Sequence, residues 1–278
     1  MKYCRFLLHG EVRYGAVEER EGELWIAELI PAPEEDLAIR VAAARHDAVA
    51  AVVREYSEAR FEPICLSDAH LLAPVTPSKI IGVGRNYRDH AKELGNEVPT
   101  EPLLFFKPPS SLLAPDGVVR MPEASARVDY EGELAFVIGR RTRRFGADGD
   151  WRSLIRGYTL ANDVTARDLQ KKEGQWTRAK GWDTFCPAGP FISDEVDPAA
   201  GLTLETRVNG ELRQHGSTAD FIFSIPELLA YITAAITLEP GDLVLTGTPA
   251  GVGPLAPGDR VDVSIVGLGV LSNTLQPE

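Results

Sequence analysis

Two carboxylates, Glu131 and Glu133, stand one residue apart at the head of the apolar run Leu134-Ala135-Phe136-Val137-Ile138. Side chains of a strand alternate between faces, so residues i and i+2 point the same way. The segment Gly157-Tyr158-Thr159-Leu160-Ala161-Asn162-Asp163 reads as a second strand ending in an acid. Three acids brought to one point repel unless something positive lies between them. A hard divalent cation is the natural candidate, because magnesium and manganese prefer oxygen ligands. A strand can also carry alternating acids simply because one face is in water. The chain contains its own control for that reading. Glu21-Gly22-Glu23-Leu24 repeats Glu131-Gly132-Glu133-Leu134, but it follows Glu18, Glu19 and Arg20 and reads as a solvated hairpin tip. The second copy leads into a nearly unbroken apolar run, which argues for a buried strand whose acids need a partner.

In Gly84-Arg85-Asn86-Tyr87-Arg88-Asp89-His90-Ala91-Lys92-Glu93-Leu94, His90 and Glu93 are three residues apart, so a helical turn sets them side by side. A histidine oriented by a carboxylate is the minimal general base. A surface pair on an exposed charged helix has the same spacing, and only company in one site separates the two readings. Lys180 lies in Arg178-Ala179-Lys180-Gly181-Trp182-Asp183-Thr184-Phe185, an aromatic and glycine-rich loop. Near the acids it would stay charged and bind an anionic substrate. Asn162-Asp163-Val164-Thr165-Ala166-Arg167-Asp168-Leu169-Gln170 adds polar groups after the second acid, with Arg167 and Asp168 readable as an ion pair of purely structural use. Thr246-Gly247-Thr248-Pro249-Ala250-Gly251-Val252-Gly253 has the glycine content of a phosphate loop, yet lacks the Gly-Lys-Ser/Thr ending and a following helix. It is better read as a tight strand-end turn that exposes backbone amides and Thr248.

The elements that must hold these groups are mostly strands. Short strand candidates at Tyr3 to Leu8, Val12 to Val17 and Leu24 to Leu29 precede an alanine-rich helical stretch within Glu34 to Glu58. Prolines around Leu72-Ala73-Pro74-Val75-Thr76-Pro77 then punctuate the chain, which divides it into a small accessory domain, residues 1–72, and a larger domain, residues 73–278. In the larger part, strands are expected at Leu103 to Phe106, Leu134 to Ile138, Tyr158 to Ala161, Leu202 to Val208, Leu243 to Thr246 and Val261 to Ile265. Asn209-Gly210 is a hairpin-turn signal, and Pro240-Gly241-Asp242 and Pro257-Gly258-Asp259 each precede a strand. Ile225 to Ile232, with Pro226 in its first turn, is one of the few convincing helices. The expected fold is mainly β with peripheral helices (α+β), a rolled or sandwiched sheet whose open end can hold a site.

At 278 residues the chain is long enough for a substantial core, and its net charge of -12 argues against a nucleic-acid or anionic-membrane partner. Cys4, Cys65 and Cys186 are widely spaced and odd in number, which fits a reducing compartment and neither a disulfide framework nor a zinc site. No apolar run is long enough to span a bilayer, and the N-terminus lacks a signal-peptide pattern, so the expected location is cytoplasmic.

Taken in order, five segments resemble the hallmarks of the fumarylacetoacetate hydrolase family. They are Gly84-Arg85-Asn86-Tyr87 through His90 and Glu93, Leu104-Phe105-Phe106-Lys107-Pro108, Glu131-Gly132-Glu133-Leu134, Asn162 to Asp168, and Leu245 to Gly253. The resemblance runs from about Leu72 to the C-terminus and is nearest to the hydroxyheptadienedioate isomerase, fumarylpyruvate hydrolase and acylpyruvase-like members. It implies a mixed β-roll fold, a homodimer, and a Mg²⁺ or Mn²⁺ site made of Glu131, Glu133 and Asp163. It also implies a His90–Glu93 dyad on a segment that orders over a small anionic 2-oxo acid substrate. Lys180, Arg85 and Thr248 match positions that contact the 2-oxo acid end, with Gln170 a weaker match. The first 70 or so residues carry none of these motifs.

Three monodentate carboxylates on an octahedral ion leave room for the carboxylate and keto oxygens of a 2-oxo acid and for a water. In an acylpyruvate, His90 held by Glu93 would activate water for attack on the distal carbonyl, with pyruvate enolate as leaving group. Isomerisation of a hydroxymuconate-like diacid and decarboxylation of oxaloacetate use the same enolate. The expected order is acylpyruvate hydrolysis, then isomerisation, then decarboxylation, with a catalytically silent metal-binding scaffold last.

Overall fold

The computed structural model describes residues 1–33, 36, 61–93, 95, 97–146 and 148–278. The helical stretch expected within Glu34 to Glu58 lies outside the described residues apart from Asp36. The strands are β1 (Lys2–Leu8), β2 (Glu11–Arg20), β3 (Glu23–Ile30), β4 (Ile64–Cys65), β5 (His70–Leu72), β6 (Ile80–Gly84) and β7 (Leu103–Lys107). They continue with β8 (Leu112–Leu113), β9 (Val118–Met121), β10 (Val128–Tyr130), β11 (Gly132–Ile138), β12 (Ile155–Asn162), β13 (Thr165–Ala166) and β14 (Cys186–Ser193). The last six are β15 (Thr203–Val208), β16 (Glu211–Ser217), β17 (Leu243–Leu245), β18 (Gly253–Pro254), β19 (Arg260–Ile265) and β20 (Gly269–Pro277). The helices that matter below are α1 (Arg88–Glu93), α2 (Arg167–Glu173), α3 (Thr177–Lys180) and α4 (Ile225–Ala235).

The largest sheet runs β4-β3-β2-β1-β14-β12-β11-β17-β6-β7, so the N-terminal strands continue the same sheet that carries the second Glu-Gly-Glu copy. β1 joins β14 through Lys2↔Ser193 and Tyr3↔Ile192. A five-stranded sheet, β16-β15-β19-β20-β9, packs on it. Leu204, Val263 and Leu271 from that sheet share one core with Phe136, Leu160 and Val244 from the large one. β11 is buried at every position, as its unbroken apolar sequence requires of a strand covered on both faces. α4 closes one side through Leu228, Leu229 and Ile232, and its start is capped by Glu227, which accepts from the Ser224 N–H at 2.7 Å.

Turn chemistry explains the hairpins. Asn209 and Gly210, both at positive φ (52° and 83°), join Val208 to Glu211 as a two-residue turn of the kind that matches strand twist. Glu21 and Gly22 do the same between β2 and β3, with φ of 53° and 85°, and are exposed, so the first Glu-Gly-Glu copy is a hairpin tip.

The pairing of β11 decides where the site lies. β11 and β12 are antiparallel with Gly132 opposite Asn162, so the residue before β11, Glu131, meets the residue after β12, Asp163. The Asp163 N–H donates to the Glu131 carbonyl at 2.8 Å. β17 flanks β11 on its other edge, with Ala135 opposite Leu245, and runs parallel to β6, with Leu245 beside Gly82. The loop after β17 and the loop after β6, which leads into α1, therefore open at the same end of the sheet as the acids.

Candidate active site

Glu131, Glu133 and Asp163 are buried, and their ligand oxygens lie within 4.8 Å of one another. Three buried cations surround them. Lys180 Nζ, at the end of α3, donates to Glu131 Oε2 at 2.9 Å, to Thr165 Oγ1 at 2.9 Å and to Asp163 Oδ2. Lys107, the last residue of β7, donates to Asp163 Oδ1 at 2.6 Å. Arg167, the first residue of α2, donates to Glu131 Oε1. Glu131 and Asp163 are thus each held by two cations.

Glu133 is held differently. Its Oε2 accepts from the Gly247 N–H at 2.6 Å, and no cation hydrogen-bonds to it among the described residues. Burial, followed by repulsion from Asp163 and Glu131, raises its pKa well above the usual carboxylate value. Burial also raises Glu131, but Lys180 and Arg167 outweigh it and hold that carboxyl below its usual range. Lys180 shows the mirror image: burial works against its charge, Asp163 and Glu131 more than restore it, and its pKa is raised. A divalent cation fits this donor set, since the three acids present oxygens within 4.8 Å of one another and the ionised form of Glu133, disfavoured by burial and by its two acidic neighbours, has no hydrogen-bonding cation among the described residues.

His90 and Glu93 lie on α1 with His90 Nδ1 3.5 Å from Glu93 Oε2, within ionic reach but looser than a formed hydrogen bond. Glu93 also accepts from the Gly251 N–H at 3.1 and 3.2 Å, which ties α1 to the loop after β17. Burial lowers the His90 pKa, and Arg167 adds to this, outweighing the opposing pull of Glu131 and Glu93.

All nine residues singled out from sequence, namely His90, Glu93, Lys180, Arg85, Gln170, Thr248, Glu131, Glu133 and Asp163, line a single cavity of about 330 Å³. Their individual settings vary. Arg85 holds a left-handed backbone, φ 57°, and its guanidinium stands 6.0 Å from the Trp176 ring. Gln170 uses its carbonyl oxygen to accept from Arg167 at 2.6 Å. Thr248 donates its hydroxyl to the Gly132 carbonyl at 2.8 Å and accepts from Gln214 Nε2 at 2.7 Å, so its proton is already committed. Gln214 in turn accepts from the Gly132 N–H at 3.0 Å, bracing the turn between the two glutamates.

Three readings from sequence need correction. Arg167 and Asp168 are not partners, because adjacent helical residues point apart. Arg167 turns inward to Asp129, Glu131 and Gln170, while Asp168 accepts from Ser125 Oγ at 2.6 Å and the Ala126 N–H at 2.9 Å. Lys180 ends a short helix rather than lying in a loop, and its aromatic neighbours are Phe105 and Trp176, at 4.8 and 5.9 Å, not Trp182 or Phe185. Lys107, a residue to which sequence assigns no role, holds Asp163, and a lysine closing an apolar strand is a signal in itself. Cys4 and Cys186 are buried, and burial pushes both thiols up to about 12, in keeping with small apolar packing residues. No helix among the described residues is long and apolar enough to cross a membrane.

The chain is similar to several known proteins. It is 45% identical to oxaloacetate tautomerase YisK of Bacillus subtilis over 224 residues, covering 76% of this chain and 74% of that one. It is 46% identical to the mitochondrial oxaloacetate decarboxylase of Dictyostelium discoideum over 202 residues, 69% of this chain and 91% of that one. The crystal structure of a 5-carboxymethyl-2-hydroxymuconate delta-isomerase from Mycobacterium smegmatis matches with a TM-score of 0.82 at 36% identity, covering 100% of both chains. The mainly β architecture with few helices is the one that solved structure shares. The family model for the fumarylacetoacetate (FAA) hydrolase C-terminal region matches residues 79–276, which contain every cavity residue named above. By that match and by these identities, the chain belongs to the fumarylacetoacetate hydrolase family of enzymes.

Proposed function

We propose that the protein is a Mg²⁺- or Mn²⁺-dependent enzyme that forms the enol or enolate of a small anionic 2-oxo acid, with tautomerisation or decarboxylation of an oxaloacetate-like acid as its reaction. The observation that carries this reading is the buried Glu133 carboxyl, to which no cation hydrogen-bonds among the described residues, beside two acids that each have such partners. Glu131, Glu133 and Asp163 would hold the ion, which would supply positive charge to stabilise an anionic 2-oxo acid and its enolate. Lys180 cannot serve as the base, because all three of its protons are engaged and its pKa is raised. It acts as a fixed charge that offsets the anionic substrate. The proton carrier is His90, neutral because it is buried, with Glu93 facing Nδ1 and Nε2 left for the substrate. Arg85, which has no carboxylate partner among the described residues, is available to a substrate carboxylate. Gln170 retains its amide N–H groups for the same purpose, and Thr248 can offer a lone pair.

This order differs from the sequence-based one because relatives with tautomerase and decarboxylase names cover most of the chain at 45 and 46% identity. Hydrolytic cleavage of an acylpyruvate remains the second reading, favoured by the His90–Glu93 pair, which could activate a water. Residues 1–72 are proposed to be accessory to the chemistry, since none of them lines the cavity. A homodimer is proposed as the working unit. The exposed Leu103 and Phe106 on the outer strand β7 offer apolar surface for it, and sedimentation would test it.

The test is to follow enol-to-keto conversion of oxaloacetate, release of CO₂, and cleavage of acylpyruvates, each with Mg²⁺ or Mn²⁺ and with chelator. His90→Ala is expected to slow the proton-transfer reactions about 10²- to 10⁴-fold while leaving metal binding intact. Decarboxylation, which leans on the ion and charge neutralisation, should suffer less. Because burial lowers the His90 pKa, kcat/KM should persist into mild acid and fall only as pH drops through a value below that of an ordinary histidine. Failure to turn over any 2-oxo acid with metal present would overturn the proposal.

A further inference from the structure

We propose that Asp129 is a positioning residue for Glu131, acting through Arg167 and anchored from the surface by Arg127. This rests on the metal-binding reading of Glu131 above. Asp129 lies in β10, fully buried, two residues before Glu131. Its Oδ1 accepts from Arg127 Nε at 2.8 Å, and its Oδ2 accepts from Arg127 at 3.0 Å and from Arg167 Nε at 2.8 Å. The guanidinium of Arg167 is thereby used on every side: Nε to Asp129, one terminal nitrogen to Gln170 Oε1 at 2.6 Å, the other to Glu131 Oε1.

A guanidinium is a rigid planar fork, so fixing its Nε fixes where both terminal nitrogens point. Asp129 therefore dictates that Arg167 offers Glu131 a single N–H, on Oε1, while Oε2 faces Lys180. Without that hold, the fork is free to turn and take both oxygens of Glu131 in a two-point ion pair, which competes directly with coordination. Charge points the same way. Arg127, Asp129, Arg167 and Glu131 alternate in sign, and only the outermost member is well solvated, its side chain 46% exposed against 0% for Asp129 and 3% for Arg167. Removing the Asp129 charge leaves Arg167 buried with Glu131 as its sole carboxylate, which strengthens the competition further. Asp129 does not line the cavity, and the side chain that links it to Glu131 is Arg167.

The experiment is titration of the full-length, metal-free protein with Mn²⁺ by calorimetry, with EPR of the bound ion as a second readout. Asp129→Asn is expected to weaken Mn²⁺ binding about 10- to 100-fold. Asp168→Asn, a change on the same helix as Arg167 but directed to Ser125 and Ala126, should bind as wild type. In an Arg167→Met background the Asp129→Asn change should add less than about twofold, because the route to Glu131 has been removed. A purely structural Asp129 would instead lower the metal-free Tm in both backgrounds and leave Mn²⁺ affinity normal, and that result overturns the proposal. If Asp129→Asn does not fold, Arg127→Gln, at the exposed end, decides the matter. A smaller loss of affinity in the same direction supports the proposal, and unchanged affinity overturns it. Wild-type protein that binds no Mn²⁺ would defeat the metal-site reading itself, a failure distinct from normal binding by the Asp129 variant.

Discussion

The tetrapeptide Glu-Gly-Glu-Leu occurs at residues 21–24 and again at 131–134, and the two copies share nothing but sequence. At the first, Glu21 and Gly22 form an exposed two-residue turn, and Glu23 begins β3 in water. At the second, both glutamates are buried and lean on Lys180, Arg167 and the Gly247 N–H. Even the glycines are there for different reasons. Gly22 has φ 85° and open space around its Cα, so it is needed for backbone conformation. At Gly132 a side chain would run into Thr206 Oγ1 and meet Val263 at 3.2 Å, so it is needed for close packing of the two sheets. A motif of two acids acquires chemistry from the strands that bury it, and not from its own composition.

The comparison is broken most severely at Glu133. Glu133→Gln should reduce Mn²⁺ affinity by at least about 100-fold, more than loss of a supporting residue costs, and abolish turnover. The same change should stabilise the metal-free protein at pH 7, because it removes a carboxyl whose ionisation the fold disfavours. A carboxyl with a raised folded-state pKa loses stability as pH climbs from its unfolded value through the folded one, so this gain should shrink toward about pH 5. Thermal melts across pH on metal-free samples read it directly. A variant that binds Mn²⁺ normally would erase the distinction between the copies.

An intermediate effect is expected at the glycines. Gly132→Ala must displace either β11 or Thr206, with an expected loss of about 1–3 kcal/mol in stability and weaker Mn²⁺ binding as the flanking glutamates shift. Gly22→Ala meets no neighbour and should lose only about 1 kcal/mol, from the left-handed backbone, with Mn²⁺ affinity unchanged. Parallel melts and titrations sharpen the contrast, and equal effects on metal binding would remove it. The smallest effect belongs to the double change of Glu21 and Glu23 to Gln. Stability should move by no more than about 0.5 kcal/mol and turnover should be untouched. A loss of turnover there would mean that the hairpin tip reaches a site after all.

Much of this contrast was legible beforehand. The unbroken apolar run after Glu133 marked a buried strand, the charged run before Glu21 marked a solvated turn, and Asn209-Gly210 marked its hairpin. Strand order was not legible, nor were the partners of the acids. Lys107 meets Asp163 across 56 residues, Arg167 meets Asp129 across 38, and Gln214 braces Gly132 across 82. Such pairs depend on the register of distant strands, about which periodicity says nothing. Local spacing also misleads at Arg167 and Asp168, chain neighbours whose side chains turn to different partners.

The junction between β1 and β14 has a consequence for how the molecule comes apart. β14 pairs with β12, the strand that delivers Asp163, and also with β1, so the N-terminal strands close an edge that would otherwise lie open next to the catalytic sheet. An uncovered edge is a template for self-association. Removing the first 72 residues should therefore expose the β14 edge and make the remainder more prone to self-association. In the intact chain, β1 to β3 are expected to unfold in the same transition as β14 and β12, because all five strands belong to one hydrogen-bonded sheet.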